Sequence, residues 1–169
     1  CAIKENTSEA EFSTRQFFRE ATLLASLRHP NLPRVTDHFN LGDKSQYLVM
    51  DFIEGDDIQV LLSTHPIGIP IEKALSWIVQ VCDALAYLHS QNPPVVHRDV
   101  KPANIKITPQ GQAVLVDFGI AKVYNPGDST TVGARALTPG FSPPEQYGMG
   151  GRTGPRSDTY ALGATLYNL

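Results

Sequence analysis

Apolar residues recur every three or four positions across residues 9–27, where Phe17, Ala21, Leu24 and Leu27 line one side of a helix that His29-Pro30 ends. Glu20 falls on the same side. An acid facing a core needs a cation or loses its charge; the alternative is a Glu whose stem lies at the edge of the stripe. Two short strand patterns follow at residues 34–39 and 47–50. The polar stretch between them, with Gly42-Asp43 inside it, predicts an antiparallel hairpin. Residues 51–57 turn polar and acidic around Gly55 and read as a linker.

A strong amphipathic helix comes next. Ala74, Leu75, Ile78, Val81, Cys82, Leu85 and Leu88 form its stripe, Cys82 is expected in the core, and Pro93-Pro94 stops the run. Beyond it the apolar pieces are strand-sized: Val95-Val96, residues 105–107 and residues 113–116, the last two joined by a turn at Thr108-Pro109-Gln110-Gly111. Residues 124–154 are rich in Gly, Pro, Ser and Thr with little period, and a loop that long is functional or disordered. Helical pattern resumes from Asp158 to the end.

Composition narrows the function classes. Fourteen Lys and Arg against 17 Asp and Glu leave a net charge of −3, which disfavours a phosphate-backbone partner, so no nucleic acid is expected. With 41% hydrophobic and 18% charged residues the chain is neither disordered nor built for a membrane, and no apolar run reaches transmembrane length. Cys1 and Cys82 exclude a disulfide framework and a Cys-based zinc site, and a reducing, intracellular setting fits. His29, His38, His65 and His89 lack metal-ligand spacing and read as surface or capping residues. The chain opens on Cys1 without an initiator Met and closes inside an apolar helical stretch, so both ends read as cut.

The chemistry lies in the order of motifs that are weak singly. Along the chain come Ala2-Ile3-Lys4, then Glu20, then His97-Arg98-Asp99-Val100-Lys101-Pro102-Ala103-Asn104, then Asp117-Phe118-Gly119 and Pro143-Pro144-Glu145. In this order they resemble a eukaryotic-type serine/threonine protein kinase domain, of the kind found widely in bacteria. The resemblance implies an α+β, two-lobed fold: a partial small lobe with hinge over residues 1–53, and a partial, mainly helical large lobe over residues 54–169. It also implies transfer of the γ-phosphoryl group of ATP, with Mg²⁺, to Ser or Thr hydroxyls of protein substrates.

By the same resemblance Lys4, held by Glu20, contacts the α- and β-phosphates. Asp117 binds Mg²⁺ and Asn104 holds a second ion, both through the hard oxygens that suit Mg²⁺. Asp99 accepts the substrate hydroxyl proton, and Lys101 steadies the transferring phosphate. Lys101 and Thr138 both point to Ser and Thr acceptors. For the base, Met50 is the gatekeeper, the backbone of Asp51 and Ile53 bonds the adenine edge, and Ala2 covers it. Asp57 either reaches the ribose or is a solvated linker end. His97 is structural, in a hydrophobic column with Phe118, Leu24 and Val35. Arg98 is expected to pair with a phosphate on Ser129, Thr130 or Thr131, whose alternative is an unmodified polar loop. Asp158 is expected to brace the catalytic loop from inside the following helix, and Glu145 to pair with an Arg beyond the chain.

Departures from the family pattern are Leu137 before Thr138, Pro143 before Pro144-Glu145, and Lys106 where an apolar residue usually lies beneath the adenine. A Lys can lay its stem there and send its charge outward. No Gly-rich loop precedes Lys4, so the segment alone is expected to be inactive. A nucleotide-binding or scaffolding pseudokinase is the competing reading, and a small-molecule phosphotransferase a poorer one. A cytoplasmic setting is expected, with any membrane anchor outside this segment and a homodimer as one route to trans-autophosphorylation.

Overall fold

The computed structural model describes residues 1–7, 18, 21–41, 45–117, 122–123, 138–147 and 153–169. Three strands, β1 (Ala2–Thr7), β2 (Val35–Leu41) and β3 (Ser45–Met50), form an antiparallel sheet in the order β1-β3-β2. The hairpin read from the alternation is therefore present. In β3 the buried positions are Gln46, Leu48 and Met50, every second residue, as a sheet with one covered face requires. Lys4 lies opposite Leu48 and Ala2 opposite Met50, so both β1 residues with expected roles sit over the gatekeeper's end of β3. Helix α1 (residues 21–26) brings Ala21 and Leu24 into the apolar cluster that contains Val35, Leu48 and Met50.

Residues 51–55 lead to β4 (Asp56–Asp57), which pairs with β6 (Ile105–Ile107); β6 pairs in turn with β7 (Ala113–Leu115). This corrects the linker reading of residues 51–57, because its last two residues join a sheet. The acidic pair is tolerated at a sheet edge, where one side of each residue stays in water. Asp57 then caps α2 (Ile58–Thr64), its carboxylate accepting from the Val60 amide at 2.9 Å. Gly111, at φ +83°, closes the turn between β6 and β7 with its amide on the Thr108 carbonyl, 2.8 Å away.

Helix α3 (Ile71–His89) buries Ala74, Trp77, Ile78, Val81, Ala84, Leu85 and Leu88. Two expected members of the stripe are not there: Leu75 and Cys82 are exposed. They stand seven residues apart and about 100° round the helix from the centre of the buried face, whose outer edges Trp77 and Ala84 take instead. The stripe was read too far toward one side. After α3 come β5 (Val95–Val96), paired with β8 (Lys122–Val123), and finally α4 (Pro155–Tyr167). Helix α4 begins with Pro155 in its first turn and buries Ser157, Asp158, Ala161, Leu162 and Thr165.

Candidate active site

Asp158 organises the loop between β5 and β6. It is fully buried, and its carboxylate accepts from the amides of His97 at 2.9 Å and Arg98 at 2.7 Å. Its other contact is the Nε2 of His89, at 2.7 Å. The bracing role expected for Asp158 is thus present, while His89 is more than a surface or capping residue. No local pattern marks His89, because its partner lies 69 positions away. Arg98 has φ +71°, a left-handed backbone that only strong local bonds keep in a non-glycine residue. The bond from its amide to Asp158 is one such hold.

The same loop aims Asp99. Its carboxylate accepts from Lys101 Nζ at 2.8 Å, from Asn104 Nδ2 at 2.9 Å and from the Thr138 hydroxyl at 2.7 Å. Lys101 Nζ also donates to Thr138 Oγ1 at 3.1 Å, so the loop and the segment at residue 138 meet on one carboxylate. Burial pushes the Asp99 carboxyl up, but the hydrogen bonds of Lys101, Thr138 and Asn104 and the Lys101 charge outweigh it and hold it below its ordinary value. His97 beside it is fully buried, and desolvation lowers its pKa, so the ring is neutral. Its Nδ1 accepts from the Asp99 amide at 3.4 Å, which leaves Nε2 to donate to the Val116 carbonyl at 3.1 Å. Leu24 and Val35 are buried as its expected column requires; Phe118 lies outside the described residues.

On the other wall, Lys4 Nζ forms an ion pair with Asp117, linking β1 to the residues that follow β7. Asp117, like Arg98, has a left-handed backbone, with φ +71°. Burial lowers the Lys4 ammonium's pKa, opposed by the Asp99 carboxylate and reinforced by Lys101. A cleft of about 390 Å³ opens here, lined by Ala2, Lys4, Met50, Asp51, Ile53, Lys106 and Asp117 among others. Every expected base-site residue except Asp57 lines it. Asp57 instead pairs with β6 and caps α2. A larger cavity, about 660 Å³, lies behind β4 and β6 against Trp77 and holds none of the motif residues. Volume alone would select the wrong site.

Among the described residues no three His, Cys, Asp or Glu side chains gather into a metal cage. Mg²⁺ takes one or two protein oxygens and completes its shell with water and phosphate. Asn104 commits its Nδ2 to the Asp99 carbonyl and carboxylate, so its Oδ1 is the atom left for a cation. Glu20, Gly119, Ser129, Thr130 and Thr131 fall outside the described residues. Glu145 accepts from Ser157 Oγ at 2.9 Å.

A sequence model of the protein kinase domain matches residues 1–169. The chain belongs to the protein kinase domain family. Its α+β architecture agrees with that membership. Among the curated relatives of this kinase domain, serine/threonine-protein kinase PknF of Mycobacterium tuberculosis is 37% identical over 169 residues, 96% of this chain and 34% of the relative. PknA of the same species is 36% identical over 167 residues, 96% of this chain and 38% of the relative. Serine/threonine-protein kinase pkn2 of Myxococcus xanthus is 36% identical over 160 residues, 91% of this chain and 19% of the relative. The kinase domain segment thus spans well under half the length of each.

Proposed function

We propose that the protein carrying this segment is a serine/threonine protein kinase that transfers the γ-phosphoryl group of ATP to Ser or Thr hydroxyls of protein substrates. The observation that carries the reading is the convergence of Lys101, Asn104 and Thr138 on the Asp99 carboxylate. Phosphoryl transfer needs alignment and charge neutralisation more than covalent chemistry. Asp99, ionised and fixed by three donors, accepts the hydroxyl's hydrogen bond and orients its oxygen toward the phosphorus. Lys101 offers positive charge beside it, and Thr138 sets the height at which an acceptor side chain enters.

Asp117 and Asn104 hold Mg²⁺, which when bound neutralises the phosphate oxygens. Lys4 contacts the α- and β-phosphates; its pairing with Asp117 keeps both ends of that contact at the cleft mouth. The adenine lies between Ala2 above and the Lys106 stem below, against the backbone of Asp51 and Ile53. A cytoplasmic setting, where ATP is supplied, fits this reading. Arg98 remains the proposed receiver of a phosphate on Ser129, Thr130 or Thr131.

The test uses the full-length protein with labelled ATP, Mg²⁺ and a peptide library containing Ser, Thr and Tyr acceptors. Label is expected on Ser and Thr, and Asp99→Asn is expected to reduce transfer by about 10²–10⁴-fold while nucleotide binding persists. Undiminished transfer in Asp99→Asn, or label confined to Tyr, would sink the mechanism. Nucleotide binding without any transfer would instead favour the pseudokinase reading.

A further inference from the structure

Strands β4 and β6 form a thin wall between two cavities. Lys106 faces the nucleotide cleft, whereas Ile107 and Thr108, with Gly55 and Asp56, face the larger cavity behind. Lys106 and Ile107 alternate as neighbours in a strand do and so address opposite sides. From the cleft side Lys106 Nζ reaches across and donates to the Gly55 carbonyl at 2.7 Å. Asp57, its cross-strand partner, uses Oδ1 to cap α2.

Gly55 is fixed from below as well. Its φ is +109°, and a Cβ there would stand 2.0 Å from the Ile107 carbonyl oxygen. The backbone of the 51–57 segment therefore rests directly on β6. One charged hydrogen bond and one steric contact fasten the far end of the segment that carries Asp51 and Ile53 to the floor of the cleft.

We propose that Lys106 is a nucleotide-positioning residue: its methylene stem is the floor of the cleft, and its ammonium holds the 51–57 segment at a set height above that floor before a nucleotide arrives. The inference rests on the kinase reading of the cleft. A segment left untethered would be ordered only on binding, and that ordering subtracts from affinity. Lys106 is only half-buried and its bond to Gly55 is solvent-exposed, so the charge keeps access to water.

Calorimetric titration of the full-length protein with Mg²⁺ and ADP tests this. Lys106→Met keeps an unbranched stem without the ammonium, and its affinity is expected to fall roughly three- to tenfold while far-UV circular dichroism shows the native fold retained. Lys106→Arg returns a donor and is expected to recover most of that loss. Wild-type affinity in Lys106→Met overturns the tether, as does an equal loss in Lys106→Arg, which would mean packing alone. A wild-type protein that fails to bind Mg²⁺ and ADP overturns the kinase reading itself, and this inference with it.

Discussion

Asp99 is the residue on which the proposed chemistry rests, and its environment makes a pH dependence with a definite sign. Burial alone would raise its pKa; Lys101, Thr138 and Asn104 together depress it. A depressed carboxyl contributes stability that is present above the unfolded pKa of about 3.9 and is lost as pH falls through the lower folded value. The stability gap between wild type and Asp99→Asn should therefore narrow in thermal melts below about pH 4. A ¹³C titration should place the Asp99 midpoint below the ordinary value, and Thr138→Val should raise it. A midpoint at or above the ordinary value would contradict the hydrogen-bond geometry. The residues of this cluster were legible as motifs, since Asp99, Lys101 and Asn104 lie within six positions. Thr138 comes from a distant loop, and only folding puts its hydroxyl 2.7 Å from the carboxylate.

At the scale of elements, α4 and the loop before β6 behave as one unit because Asp158 joins them. Asp158→Ala would strand the buried amides of His97 and Arg98, and the left-handed turn at Arg98 would lose its local bond. The expected destabilisation is about 2–5 kcal/mol, read from urea midpoints. Asp158→Asn, which keeps one acceptor oxygen, should cost less; equal costs for the two variants would mean that the cavity, not the hydrogen bonds, matters. Periodicity found α3 because that helix buries one face continuously; in the hairpin β3 alternates, whereas β2 buries only Val35. The same periodicity overextended the α3 stripe to Leu75 and Cys82, since an apolar side chain near the edge of a helical face carries no mark of which neighbour it meets. It missed β4 altogether: two acidic residues have little strand character, and their pairing with Ile107 and Lys106 is decided by β6.

For the whole molecule, the cleft unites β1 and β3 with β6 and the residues after β7, so a nucleotide is expected to bind two sheets at once. Mg²⁺ with ADP at about one hundred times its Kd should stabilise the full-length protein by about 2.7 kcal/mol, seen as a raised melting temperature. Asp117→Asn should remove the Mg²⁺-dependent part of that rise; a rise independent of both Mg²⁺ and Asp117 would place the ligand elsewhere. By itself the sequence determined the family and the longer elements, α3, α4 and the β2–β3 hairpin, because these rest on local period and on motif order along the chain. Tertiary structure alone decided that Lys4 meets Asp117, that His89 and Asp158 share one carboxylate contact, and that Lys106 ends on Gly55. Those pairings join residues 51 to 113 positions apart, and no local pattern encodes a contact that exists only once the intervening chain has packed.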